Sequence, residues 1–458
     1  MKDLTQGPIP KHIIAMAVPI MAGMLLQTLY YIVDLYFVSR LGSAAIAGVS
    51  AAGNAMFLIF SLTQMLGVGI VALISHAVGR KDQPDANLVF NQSIVLSALC
   101  ALLTLALGYG LTELYMGKLG ADAATTANGT NYLYWFLPGL ALQFAMVAMG
   151  SALRGTGIVK PTMVVQALTV LLNIVLAPVL IAGWGTGRPL GVAGAALASS
   201  ISIAAGVIIL TLYFVRLEKY VSLHPEQWAP RFTTWIRILK IGLPAGGEFG
   251  LMFVYMAVIF WIIRHFGSDA QAGFGVGIRV MQSIFLPAMA LAFAAAPIIG
   301  QNFGARHPQR VRDTFRTAAL MCSATMLLLT LFCLWRADIF VRFFTNDPGA
   351  VTVGAQYLHI ISWNFVAAGL VFTCSSTFQG LGNTWPSLIS SASRLVTFVF
   401  PALWLAQRPG FNLAHLWYLS VATVTMQALF SLWLVRGQFR TRLVQPDPDA
   451  AAVAAGLA

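Results

Sequence analysis

Apolar residues run through this chain in long blocks, broken at near-regular intervals by short stretches rich in Gly, Pro, Lys and Arg. Twelve blocks can be drawn, at residues 13–39, 50–78, 88–112, 131–153, 162–183, 191–215, 235–264, 271–299, 311–335, 352–378, 386–406 and 411–436. A helix that crosses a bilayer needs about 20 mainly apolar residues, and every block is long enough. Barrel strands would be segments of about ten residues in strict alternation, which these are not. The pattern predicts an all-α polytopic membrane protein with twelve transmembrane helices. The first block is too long for a secretory signal and leads directly into further spans, so no cleaved leader is expected.

The blocks repeat. At an offset of 225 residues the halves align without a gap: Pro19 meets Pro244, Gly42 meets Gly267, Gly79 meets Gly304 and Tyr132 meets Tyr357. The clearest pair is LRGTGIVKP, 153–161, against FQGLGNTWP, 378–386, in which Gly155, Gly157 and Pro161 match Gly380, Gly382 and Pro386. Each half carries six spans, and an even number returns the chain to its starting side, so the repeat is parallel, about an axis along the membrane normal. The predicted organisation is a first lobe at 1–215, a polar linker at 216–234, a second lobe at 235–436 and a tail at 437–458. Two similar bundles with a cavity between them suit alternating access.

Composition agrees, with 58% hydrophobic and 9% charged residues against about 25% charged in soluble domains. The net charge of +12 raises nucleic acid as a partner, but its distribution argues otherwise. With the N-terminus placed in the cytoplasm, 18 of the 27 Lys and Arg fall in inner segments and 7 in outer ones, leaving Arg279 and Arg394 inside spans. That bias is the positive-inside signal. It predicts both termini in the cytoplasm of a cell inner membrane, with the lipid bilayer rather than nucleic acid as partner. The four cysteines, Cys100, Cys322, Cys333 and Cys374, lie in spans without metal-ligand spacing and read as small core residues.

Of 15 acidic residues, two fall inside spans, Asp34 and Glu248. A charge at a helix centre in lipid costs about 2.5 kcal/mol or more, so such residues face a bundle interior or a wet cavity and serve a pathway or a partner. They are not equivalent in the repeat, because Asp34 aligns with Ile259 and Glu248 with Gly23. Gln27, Tyr30, Tyr31 and Asp34 follow helical spacing and are predicted to share one face. Pro19, fifteen residues before Asp34, removes a backbone hydrogen bond and is the expected bending point. A carboxyl withheld from water can take up and release a proton as its surroundings change. The alternatives for Asp34 are capping of a neighbouring helix or a pair with a buried cation such as Arg394. For Glu248 the alternatives are a pair with Arg279 or a binding site for a cationic substrate. His76, His359, Arg279 and Arg394 read as structural.

No Walker loop, Ser–His–Asp arrangement or metal-spaced Cys/His cluster is visible, so an ion gradient rather than ATP is expected to drive transport, with no cofactor. Moving one charge through 100 mV is worth about 2.3 kcal/mol, more than the ~1.4 kcal/mol of a tenfold gradient.

The chain resembles multidrug and toxic compound extrusion (MATE) transporters of the DNA-damage-inducible protein F type. The likeness rests on GPIPKHIIAMAVPIMAGMLLQTLYYIVDLYFVSRLG, LRGTGIVKP, GLPAGGE, PIIGQNFGA and FQGLGNTWP and extends to about residue 436. It implies two six-helix lobes that export amphipathic, often cationic compounds in exchange for protons or sodium. It places cation coupling on Asp34 and Asn173, with Ser199 in a neighbourhood where the family often has threonine, and bending at Pro19. Gln27, Tyr30 and Glu248 are the substrate-binding candidates. Relatives carry a second acid one turn beyond the asparagine, where this chain has Ala177; the span 10 aspartate of another branch is also absent. With one carboxylate in the first bundle, a bare Na⁺ site is harder to build, so H⁺ is the expected coupling ion and Na⁺ the alternative. The other readings are a lipid-linked oligosaccharide flippase, which calls for a strongly cationic cavity, and a membrane enzyme, which calls for clustered catalytic side chains. A non-enzymatic monomeric antiporter is expected.

Overall fold

The computed structural model describes residues 1–120, 122–185, 187–342 and 347–443. Among them are thirteen α-helices and no strand: α1 Ile9–Ser39, α2 Ser43–Gly79, α3 Gln83–Leu119, α4 Ala123–Gly155, α5 Lys160–Ala182, α6 Val192–Arg216, α7 Phe232–Ile263, α8 Ser268–Gly304, α9 Pro308–Arg342, α10 Pro348–Ile361, α11 Phe365–Gly380, α12 Trp385–Ala406 and α13 Leu413–Arg442. Twelve segments are long and apolar enough to cross a bilayer, α10 and α11 together forming one of them, Pro348–Gly380. Side chains such as Leu320 and Trp335 stand 72% and 74% exposed, which suits lipid rather than water.

Most helices outrun the apolar blocks. α3 starts five residues before its block because Asp82 accepts a hydrogen bond from the Asp85 amide and Pro84 pre-sets the first turn. α13 continues to Arg442, so the expected tail begins inside a helix; its residues 444–458 lie outside the described residues. The tenth span is broken by a 3₁₀ turn, Ser362–Asn364, at the place where α4 carries Pro138 without breaking. The Ser362 carbonyl finds a donor in the Thr330 hydroxyl at 3.0 Å, which meets the requirement that backbone groups in lipid be satisfied.

The 225-residue repeat is written in the backbone. α8 begins and ends 225 residues after α2, and the α10–α11 span does the same relative to α4. Left-handed residues recur in pairs: Gly42 and Gly267 (φ 103° and 90°), Gly157 and Gly382 (81° and 69°), and even Lys81 and Arg306 (62° and 56°). Asp122 and Asp347 cap equivalent helices, each accepting from the amide three residues on.

By contacts the chain forms two units. The first comprises Met1–Lys2, Val18–Ile74 and Asp82–Gly247; the second comprises Asp3–Ala17, Ser75–Lys81 and the chain from Glu248. α1 thus changes unit two residues before Pro19, and α7 changes unit after Gly247, three residues beyond Pro244. In the first unit α4 packs on α3 and α6, and α6 on α5. In the second, α8 packs against α9, α10 and α11, and the end of α2 crosses it. That crossing needs two glycines: a Cβ on Gly79 would meet the Gln301 carbonyl, and one on Gly304 the His76 carbonyl.

Candidate functional site

In the first unit, close helix approach builds a small polar site in an apolar bundle. Gly139 on α4 lies against Ser200 on α6, and Gly206 on α6 against Thr169 on α5; a Cβ at either would stand 2.8 Å or 2.7 Å from its neighbour. These contacts bring Tyr132 of α4, Asn173 of α5 and Ser199 of α6 to the α1 residues Tyr30 and Asp34. Asp34 is 8% exposed, and Asn173, Ser199 and Tyr132 are buried. The Asn173 amide donates to the Ser199 hydroxyl at 3.4 Å. The Tyr132 hydroxyl is set against the Asp34 carboxyl and the Ser199 hydroxyl against that of Tyr30.

Three buried oxygens here have no hydrogen-bond partner: Asp34 Oδ1, Tyr30 Oη and Asn173 Oδ1. Buried polar atoms are nearly always paired; here two acceptors, Asp34 Oδ1 and Asn173 Oδ1, stand with a Tyr30 hydroxyl that both donates and accepts, a set able to receive a proton or a small cation. Ala177 is fully buried one turn beyond Asn173, packed in a hydrophobic cluster with Val38, Tyr132 and Ile181. It adds a methyl group where a carboxylate would add ligands.

Gln27 does not join this site. Its amide donates to the Tyr31 hydroxyl at 3.4 Å, and Tyr31 is half exposed, so the expected four-residue polar face of α1 divides between the bundle and the surface. Pro19 sits within an uninterrupted α1, beside the place where the helix passes from one unit to the other.

Glu248 lies in the second unit and pairs with no arginine among the described residues. The expected partner Arg279 is exposed. Glu248 is held instead by serine hydroxyls, from Ser387 at 2.6 Å, Ser375 at 3.2 Å and Ser391 at 3.3 Å. Hydroxyl donors satisfy a carboxylate without a second buried charge, which costs less desolvation than an ion pair. Sequence reasoning missed these serines, although Ser387 and Ser391 recur at helical spacing in WPSLISSAS and mark one polar face of an apolar span. Arg394 forms no ion pair either among the described residues; its guanidinium lies over the Tyr255 ring, 4.4 Å from the centroid. His76 donates from Nε2 to the Gly380 carbonyl across 2.7 Å, a structural contact, and His359 is exposed.

The MatE family profile matches residues 19–179 and 244–404, two copies 225 residues apart. The chain belongs to the MatE family. Members are transporters, not enzymes, and this chain is a multi-pass membrane transporter built from two repeated halves. Among curated relatives, the multidrug export protein MepA of Staphylococcus aureus (strain N315) is 26% identical over 404 residues, covering 87% of this chain and 88% of MepA. The FAD transporter of Shewanella oneidensis is 23% identical over 404 residues, covering 88% and 89%. A crystal structure of MATE in complex with MaL6 superposes with a TM-score of 0.90 at 24% identity, over 96% of this chain and 98% of that one.

Proposed function

We propose that this protein is a secondary antiporter that exports amphipathic, often cationic small compounds in exchange for protons, with Asp34 carrying the coupling proton. The observation that supports this most directly is the group of unmet oxygens of Asp34, Tyr30 and Asn173, closed off from solvent in the first unit. Uptake of a proton neutralises the carboxylate and supplies a donor; release restores the charge and the need for a partner. Asn173 and Ser199 hold the site in register, and Pro19, without an amide hydrogen, is where α1 yields as the charge changes. Glu248 supplies negative charge for a cationic cargo, its serines keeping it oriented. The kinship with MepA supports drugs as the cargo class. The DNA-damage-inducible protein F subtype, a cytoplasmic-membrane location with both termini inside, and a monomer belong to the same reading.

Na⁺ is the alternative coupling ion, because the same oxygens are the ligand type that hard cations take; the single carboxylate and Ala177 favour H⁺. Proteoliposomes holding a cationic dye separate the two. A pH gradient alone is expected to drive dye movement, and a sodium gradient alone is not. Asp34→Asn should reduce pH-driven efflux at least tenfold while leaving the protein inserted in the membrane. Undiminished efflux by that variant refutes the role of Asp34, and drive by sodium alone refutes the choice of ion.

A further inference from the structure

The repeat places a second polar site in the other unit with its polarity reversed. Tyr30 and Tyr132, which flank Asp34, are equivalent at the 225-residue offset to Tyr255 and Tyr357. Ile259 stands where Asp34 would be, and Phe398 where Asn173 would be. Charge returns on another helix: Arg394, on α12, occupies the place of Thr169 and lays its guanidinium over Tyr255, whose ring also packs against Phe398 at 4.6 Å. The Tyr255 hydroxyl meets Ser420 at 3.0 Å, Asn364 approaches Ser420 at 3.5 Å, and Trp417, one turn before Ser420, packs on Tyr357 at 4.8 Å.

The unmet groups of this cluster are largely donors. Arg394 Nε and Trp417 Nε1 are both buried without a hydrogen-bond partner, as is Asn364 Oδ1, whose amide presents a donor instead when turned over. Arg394 has no acidic partner among the described residues. The acid of the neighbouring helix, Glu248, lies seven residues before Tyr255, about 10 Å along the axis, and is taken up by its serines. A half-buried cation in a membrane bundle, with donors unmet and aromatic rings around it, is the inverse of the Asp34 site.

We propose that the second unit holds an anion-binding subsite centred on Arg394, which takes the carboxylate of an aromatic or amphipathic compound. The planar guanidinium matches a carboxylate fork, Trp417 Nε1 offers a further donor, and Tyr255, Tyr357 and Phe398 form an apolar wall for the rest of the molecule. The subsite is independent of the coupling role given to Asp34.

Binding of benzoate to the purified full-length protein in lipid nanodiscs, measured by calorimetry, tests this. Benzoate should bind and uncharged benzamide should bind at least tenfold more weakly. Arg394→Gln should weaken benzoate binding at least tenfold, and Arg394→Lys, which keeps the charge without the fork, should fall between. Should Arg394→Gln fail to fold, Trp417→Phe keeps the ring and removes one donor, and a several-fold loss is expected. Equal binding of benzoate and benzamide, or benzoate affinity unchanged in Arg394→Gln or in Trp417→Phe, would overturn the proposal.

Discussion

Asn91 carries more hydrogen bonds than any functional candidate, and all but one of them leave its own helix for the linker. Its amide donates to the Asn87 and Ser222 carbonyls, both at 2.9 Å, while its oxygen accepts from the His224 amide at 2.8 Å and the Trp228 indole at 3.2 Å. Gln92 beside it reaches the carbonyls of Gln227 and Ala229 and accepts from the Arg231 amide. Two side chains at the start of α3 thus strap the linker to the first unit. Asn91→Ala strands groups that lose these partners, at about 1–3 kcal/mol for each buried one. The expected result is a lower melting temperature and markedly faster tryptic cutting at Lys219 or Arg231; unchanged cutting would show that the linker is held by other contacts. The sequence does contain the run NQS, but a polar run at a block's edge reads the same whether it is solvated or a clasp. The same limit applies to the candidate site. Asp34 stands out in lipid by charge alone, whereas the polar serine face of α12 finds its partner, Glu248, only when α7, α11 and α12 are brought together.

Element boundaries follow local chemistry that hydropathy does not record. α4 begins where Asp122 accepts from the Thr125 amide at 2.7 Å, a bond that holds its carboxyl below the ordinary carboxylate range. Because the folded form has the lower value, the cap is fully present above the ordinary carboxylate pKa and is lost as pH falls through the folded one. Hydrogen exchange at Thr125, corrected for intrinsic rate, should therefore lose protection as the pH drops below about 4. In Asp122→Asn, whose amide oxygen caps without titrating, protection should stay level; a parallel loss in both proteins would assign the change to something other than the cap. Apolar blocks locate the spans because lipid demands length, but helices end where caps and left-handed residues end them. That is why α3 overruns its block at both ends, opened by Asp82 and closed at Gly120. The break at Ser362–Asn364 has no such signal, since Trp363, a residue of middling helix propensity, stands where the equivalent helix carries its proline.

For the whole molecule, the repeat and the charge bias constrain one another. Paired left-handed residues and the two MatE matches share the 225-residue offset, so each half crosses the bilayer the same number of times. Six crossings return the chain to its starting side, and both halves then face the same way. This makes orientation a single choice for all 458 residues, set by basic residues near the span ends. With 18 of 27 Lys and Arg on one side, that side is expected to be the cytoplasm. A green fluorescent protein fused after Arg442 should fluoresce and alkaline phosphatase fused there should be inactive, while fusions after Lys118, at the end of the third span, should reverse both signals. Active phosphatase after Arg442 would mean an odd number of crossings or an inverted chain. Paired fusions near Gly42 and Gly267, its counterpart, distinguish these, because an odd count between them places the two equivalent loops on opposite sides and ends the parallel repeat, whereas an inverted chain keeps them on one side.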